Sequence, residues 1–250
     1  MPPAIVTPTL LEAIRSQPHL PSHSWYIVSG VTLSALNRPE EISKVFEYAL
    51  EQDVLPLDKG VPTHTAQLEI VRKLREGLLK SSAVVGIPKT INALLSLKTA
   101  TPPDLLDDHG PTERRKEVYD TPASSILERG QKFFDQTYGR VAERVMRQMD
   151  QSGTEDLGII ARLVYGYIVS NTKILSAAET SHVLIAGLIP QDVNPQLIGH
   201  LKGALNNGAT VEQVRAVREV VIKICEAAGM QRLPEDSIQG WGWRSEIANV

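Results

Sequence analysis

The chain has 250 residues, 42% of them hydrophobic, enough for a core of one large domain or two small ones. Twenty-six basic against 29 acidic residues leave a formal charge of −3 with no basic block interleaved with aromatics, which argues against nucleic acid as a partner. No apolar run reaches the roughly 18 to 20 residues of a membrane span, and the Pro-rich start MPPAIVTPTL lacks the features of a signal peptide. The expectation is therefore a soluble intracellular protein without a membrane partner, cytoplasmic by default, with an organelle left open. A single cysteine, Cys225, excludes an intrachain disulfide or a dithiol, and its spacing from Val214, Val217 and Val221 places it in a helix core.

Residues 1–21 hold five prolines and no sustained period, and are expected to form an arm over the body. SWYIVSGVTLSAL, from Ser24, is apolar enough for a buried helix, and Asn37, Arg38 and Pro39 end it. Helices are predicted from about Glu40 to Gln52 and, after a loop with Pro56, Gly60 and Pro62, from about Thr65 to Val85. Gly86 closes the latter and Pro88 opens KTINALLSLKT. Residues 101–125, charged and proline-bearing, read as a connection. Helical patterns resume in ILERGQKFFDQTYGRVAERVMRQM, EDLGIIARLVYGYIVSN and AAETSHVLIAGLI, then in a short helix around QLIGHLKGALNNG. A last helix from Val211 to Ala228 starts with a Thr210/Gln213 capping box. Period-two alternation is not sustained anywhere, so the expected fold class is all-α.

The two halves resemble each other. VRKLREGLLKSSAVVG, Val71 to Gly86, aligns without gaps on VRAVREVVIKICEAAG, Val214 to Gly229, with six identities in sixteen, where unrelated stretches share roughly one. SWYIVSG matches SHVLIAG in pattern, and the alignment runs on between them. This predicts an internal duplication: an arm (1–21), a degenerate first repeat (22–100), a linker (101–125), a second repeat (126–230) and a tail (231–250). His200 in the second repeat stands where the first has Val45, so the second half is expected to carry the chemistry.

HLKGALNNGATVEQVRAVREVV, His200 to Val221, with the apolar stretch LSAAETSHVLIAGLIPQDVNPQLIG before it, resembles the carboxymuconolactone decarboxylase and alkylhydroperoxidase D-like superfamily. The resemblance implies a duplicated helical unit packed as a pseudo-dimer, and a homo-oligomer. Peroxidase members carry a Cys-x-x-Cys pair ahead of the histidine; here those positions are Val193 and Gln196, which excludes thiol-dependent peroxide reduction. Decarboxylase-like members act without metal or organic cofactor on a lactone acid, and the motif fits that branch better. The expectation is a cofactor-free lyase or isomerase on a small carboxylate- or lactone-bearing substrate; the alternative is an inactive member that binds a ligand or a protein partner.

His200 can serve as general acid/base, since imidazole titrates near 6.5, or as a structural histidine; Gly199, Gly203 and Ala204 leave room for a ligand or a backbone beside it. Glu179 lies near the family's relay position, but SAAE from Ser176 is also a capping box. His182 follows three residues later on a similar face, either approaching the same pocket or sitting as a core group. Tyr165 and Tyr167 offer hydroxyls or packing, Arg162 a carboxylate clamp or a surface ion pair, and Gln196 a substrate contact. His64 and His109 are expected in solvent-facing loops, and no His/Asp/Glu set has metal-ligand spacing. Trp241, Trp243 and Arg244 suit an anchor to a partner subunit.

Overall fold

The structure, a computed structural model, describes residues 4–53, 63–107 and 112–231. The Trp241/Trp243/Arg244 cluster, His109 and the loop with Pro56, Gly60 and Pro62 lie outside the described residues. Among the described residues every regular element is helical, so the fold is all-α. In chain order the helices are α1 (Pro8–Arg15), α2 (Trp25–Ala35), α3 (Pro39–Gln52), α4 (Thr63–Val85), α5 (Ile87–Ala100), α6 (Glu113–Tyr119), α7 (Ala123–Tyr138), α8 (Ala142–Asp150), α9 (Asp156–Val164), α10 (Ala177–Leu188), α11 (Asn194–Asn206) and α12 (Val211–Ala227). A π-helical turn, Tyr165–Val169, extends α9.

Helices α2 and α10 form the centre. Every residue of α2 is buried. Two of its three Ser and Thr hydroxyls bond back into the helix and so tolerate this burial: Ser29 donates to the Trp25 carbonyl at 2.7 Å and Thr32 to that of Val28 at 2.8 Å, while the Ser34 hydroxyl is buried without a partner. Helix α2 packs on α3 and α4 from its own half and on α10 and α12 from the other. Helix α10 packs on α11 and α12 from its own half and on α2 and α4 from the other. Each central helix thus meets the equivalent neighbours, the arrangement that two related halves would produce.

The expected boundaries differ from the structure in four places. The N-terminal arm contains α1, started by the Thr7 side chain and Pro8 and seated through Leu11 and Ile14. Glu41 holds the strand of chain before it, accepting from the Val6 amide at 3.0 Å. The 101–125 connection is built into the body: Leu105 is buried and α6 supplies Arg114 and Glu117 to interior ion pairs. The pattern from Ile126 to Met149 is two helices, because Gly139 takes φ 54° after Tyr138 and stops α7. The pattern beginning at Glu155 loosens from α into π at Tyr165.

Helix α7 meets the π turn backbone to backbone. A Cβ on Gly130 would lie 2.5 Å from the Gly166 nitrogen and 2.7 Å from its Cα. Backbone cannot swing aside as a side chain can, so Gly130→Ala is expected to cost about 3 kcal/mol in urea denaturation. Gly30→Ala, whose Cβ meets only the Leu74 side chain within 3 Å, is expected to cost clearly less. Equal midpoints for the two variants would rule out the close α7 contact.

Candidate functional site

His200 sits on α11 facing the end of α7. The small residues beside it admit that helix: a Cβ on Gly203 would lie 2.6 Å from Thr137 Cγ2 and 3.0 Å from the Thr137 carbonyl, and one on Gly199 would lie 3.4 Å from Tyr138 Cε1. Amide side chains fasten the junction. Asn206 donates to the Thr137 carbonyl at 3.0 Å, and Asn207 donates to the hydroxyls of Thr137 and Ser181, each at 3.0 Å. The His200 ring lies edge-on to Tyr138, centroids 6.0 Å apart. The Tyr138 and Tyr165 hydroxyls stand 3.5 Å apart, a long separation for an O–H···O contact, and Phe134 packs on both rings. Burial alone pushes the His200 pKa down to about 4, so the imidazole is neutral at pH 7. Burial likewise raises both tyrosines.

Glu179 and His182 lie three residues apart on α10. Glu179 completes the capping box with Ser176 and reaches Lys73 at 3.4 Å. Burial pushes its carboxyl up, but the Ser176 amide and Lys73 outweigh that and hold it below the usual range. Burial depresses His182 to about 4, and the Glu179 charge opposes part of that shift. Both His182 ring nitrogens are buried without a hydrogen-bond partner. The structure therefore sets His200 against Tyr138, with Tyr165 reached through Tyr138, and leaves Glu179 acting on His182 through its charge alone. Arg162 makes a bidentate pair with Asp150 at 2.6 and 2.8 Å, and Gln196 is exposed. Tyr167 is half-buried, and Val45, the first-half counterpart of His200, is core. His64 is exposed, in the first turn of α4 rather than a loop. The Cys225 thiol is buried and burial raises its pKa far above the ordinary thiol range.

A cluster of buried and half-buried charge lies around the π turn. Lys80 of α4, fully buried, donates to the Val169 carbonyl at 2.8 Å and to the Thr180 hydroxyl at 2.7 Å. Arg129 of α7 donates to the Gly166 carbonyl at 2.9 Å and the Ser170 hydroxyl at 3.0 Å, and forks onto Glu117 at 2.6 and 3.1 Å. Arg114 of α6 forks onto Glu76 at 2.7 Å twice and approaches the Ile168 carbonyl at 3.5 Å. Three cations thus serve carbonyls at the C-terminal end of a helix, where the backbone has spare acceptors and partial negative charge. Burial lowers the Lys80 pKa to about 8, with Glu76 opposing. Glu76 and Arg114 also line an open cleft of about 550 Å³ together with Arg72, Arg75 and Asn171. Sequence reasoning missed this cluster, although Glu76 and Lys80 are repeat identities with Glu219 and Lys223; in the second half Lys223 instead bonds Gln17 at 2.7 Å.

No family model matches the chain. It is 42% identical over 211 residues to Peroxisomal protein 2 of Schizosaccharomyces pombe, covering 84% of this chain and 89% of that protein. A 267-residue alignment with Peroxisomal protein 2 of Saccharomyces cerevisiae shows 33% identity across 88% of this chain and 94% of the relative. The chain belongs to the Peroxisomal protein 2 family. Two features of this family member bear on its chemistry. Among the described residues no three His, Cys, Asp or Glu side chains gather as a metal site, and no helix is long and apolar enough to cross a membrane.

Proposed function

We propose that this chain is a peroxisomal, cofactor-free acid/base enzyme of the carboxymuconolactone decarboxylase-like type. Its substrate is a small carboxylate- or lactone-bearing molecule and His200 is the proton-transfer group. The observation that carries the reading is the buried, neutral His200 ring against Tyr138, with the Tyr165 hydroxyl one step beyond. The family resemblance of the His200 to Val221 stretch and the six identities between Val71–Gly86 and Val214–Gly229 support it. The peroxisome, in place of a cytoplasmic default, follows the names of both relatives.

A neutral imidazole accepts a proton at one nitrogen and donates one at the other, so it can take a proton from carbon and return it to an enolate. Left alone at about 4, His200 is a weak base. A substrate carboxylate brought into the same low-dielectric site would raise it toward neutrality, where general base catalysis is most efficient. Tyr138 and Tyr165 take the assisting place in this scheme, since Glu179 is engaged by Ser176 and Lys73. Thiol peroxidase chemistry is left out: the chain has a single cysteine.

The second reading, a ligand- or partner-binding member without turnover, is favoured by one observation: α7 fills the space over Gly199 and Gly203. Mass-spectrometric turnover against lactone acids and β-keto acids separates the two. His200→Gln is expected to lose on the order of a hundredfold or more in kcat, and Tyr138→Phe about tenfold. Turnover by folded His200→Gln equal to the parent would remove His200 from the chemistry. A folded parent inert on every substrate would favour the binding reading.

A further inference from the structure

Two clefts flank α4 and share a wall. The first, of about 550 Å³, is the charged one facing α6. In it one carboxylate serves two guanidiniums: Asp107 accepts from Arg72 at 2.9 and 2.8 Å and from Arg75 at 2.6 Å. Glu113 is likewise divided between Lys116, at 2.9 Å, and Lys173. Arg114 adds a further cation, matched by Glu76. Among the described residues that line the cleft, four cations, Arg72, Arg75, Arg114 and Lys173, face three anions, Glu76, Asp107 and Glu113. The second cleft, of about 280 Å³, faces α5 and is lined by Val71, Leu94, Leu97 and Leu106, with Lys98 and Thr101 as its polar members besides Arg75. Arg75 and Leu79 line both. Leu95, 59% exposed, forms part of the apolar rim.

We propose that the paired clefts bind an anion with an aliphatic chain, a medium-chain carboxylate. Its head takes the place of Asp107 on Arg72 and Arg75, and its chain passes Leu79 into the apolar cleft. The Asp107 carboxylate already shows the geometry the two forks select, since planar guanidiniums match a planar carboxylate through paired N–H donors. Asp107 then acts as a built-in competitor, occupying the forks until a ligand with additional apolar contact displaces it. This inference is independent of the His200 reading.

The test is calorimetric titration of the full chain with hexanoate, octanoate, decanoate and dodecanoate below their micelle concentrations, beside dodecanol and succinate. Saturable binding is expected, tightening on the order of threefold per added methylene until the apolar cleft is filled. Dodecanol, without the charge, and succinate, without the chain, are expected to bind at least tenfold more weakly than dodecanoate. Replacing Arg72 and Arg75 together by Gln is expected to weaken dodecanoate at least tenfold, and Leu95→Glu to weaken it severalfold. Asp107→Asn is expected to tighten it severalfold, which a merely structural ion pair would not do. Circular dichroism verifies that each variant is folded. The proposal is overturned by no saturable dodecanoate binding, by equal binding of dodecanol, or by dodecanoate binding unchanged in the folded Arg72/Arg75 variant.

Discussion

Taking the pH from 7 down to 4 is expected to strip several kcal/mol from the folded state, with His182 and His200 as the cause. Both imidazoles are buried and neutral, with pKa values brought from 6.5 to about 4. In the unfolded chain they bind protons as the pH falls through 6.5, while the folded protein resists until about 4. Protonation therefore favours unfolding throughout that window, by roughly 3 kcal/mol for each histidine. Together that rivals the whole stability of many domains. Asp107, held near 2 by hydrogen bonds from Arg72, belongs to a separate, lower window: its contribution is complete above 3.8 and lost as the pH falls toward 2. Urea denaturation at pH 7, 6, 5 and 4 gives the slope. His182→Leu, which replaces two unpartnered nitrogens by apolar surface, should fold well at pH 7 and show about half the parental slope between pH 6 and 4. An undiminished slope in that variant would clear His182 of the effect.

Arg129→Ala is expected to cost about 3 kcal/mol. The guanidinium is the shared partner of Glu117, Ser170 and the Gly166 carbonyl. Its removal leaves the Glu117 side chain, only 9% exposed, as a charge with Asn171 for company. Removing one member of such a pair costs far more than the pair contributes, because the survivor stays desolvated. The Arg129 side chain is itself 35% exposed, so solvent screening keeps this cost at the lower end for buried pairs. Arg129→Lys keeps the charge but loses the fork, so guanidine denaturation should find it between the parent and the alanine variant. A midpoint for Arg129→Ala indistinguishable from the parent would mean that the π turn is held without it.

The main helices were legible because their apolar periods and stops are local. Gly86 and Pro88 separate α4 from α5, and the capping boxes at Ser176 and Thr210 are both formed. Local signals also misled. Thr7-Pro8 is a helix start that the surrounding prolines obscured, and Gly139 interrupts an otherwise continuous apolar period. The π turn at Tyr165 has no period of its own; it persists because Lys80, Arg114 and Arg129 occupy its carbonyls. Those partners come from three other helices, and no spacing along the chain brings them together. Tyr138 escaped notice beside His200 for the same reason: α7 meets α11 only in the folded chain. Glycines 199 and 203 correctly signalled a close approach without saying that α7 makes it.

The central position of α2 also constrains how the protein is made. On the ribosome the α2 segment emerges early, whereas the surfaces of α10 and α12 that cover part of it are translated last. Until then a largely apolar segment with a Trp-Tyr-Ile-Val start lacks part of its cover in the nascent chain. Synthesis thus imposes a waiting period in which the part of α2 later covered by α10 and α12 is open to aggregation.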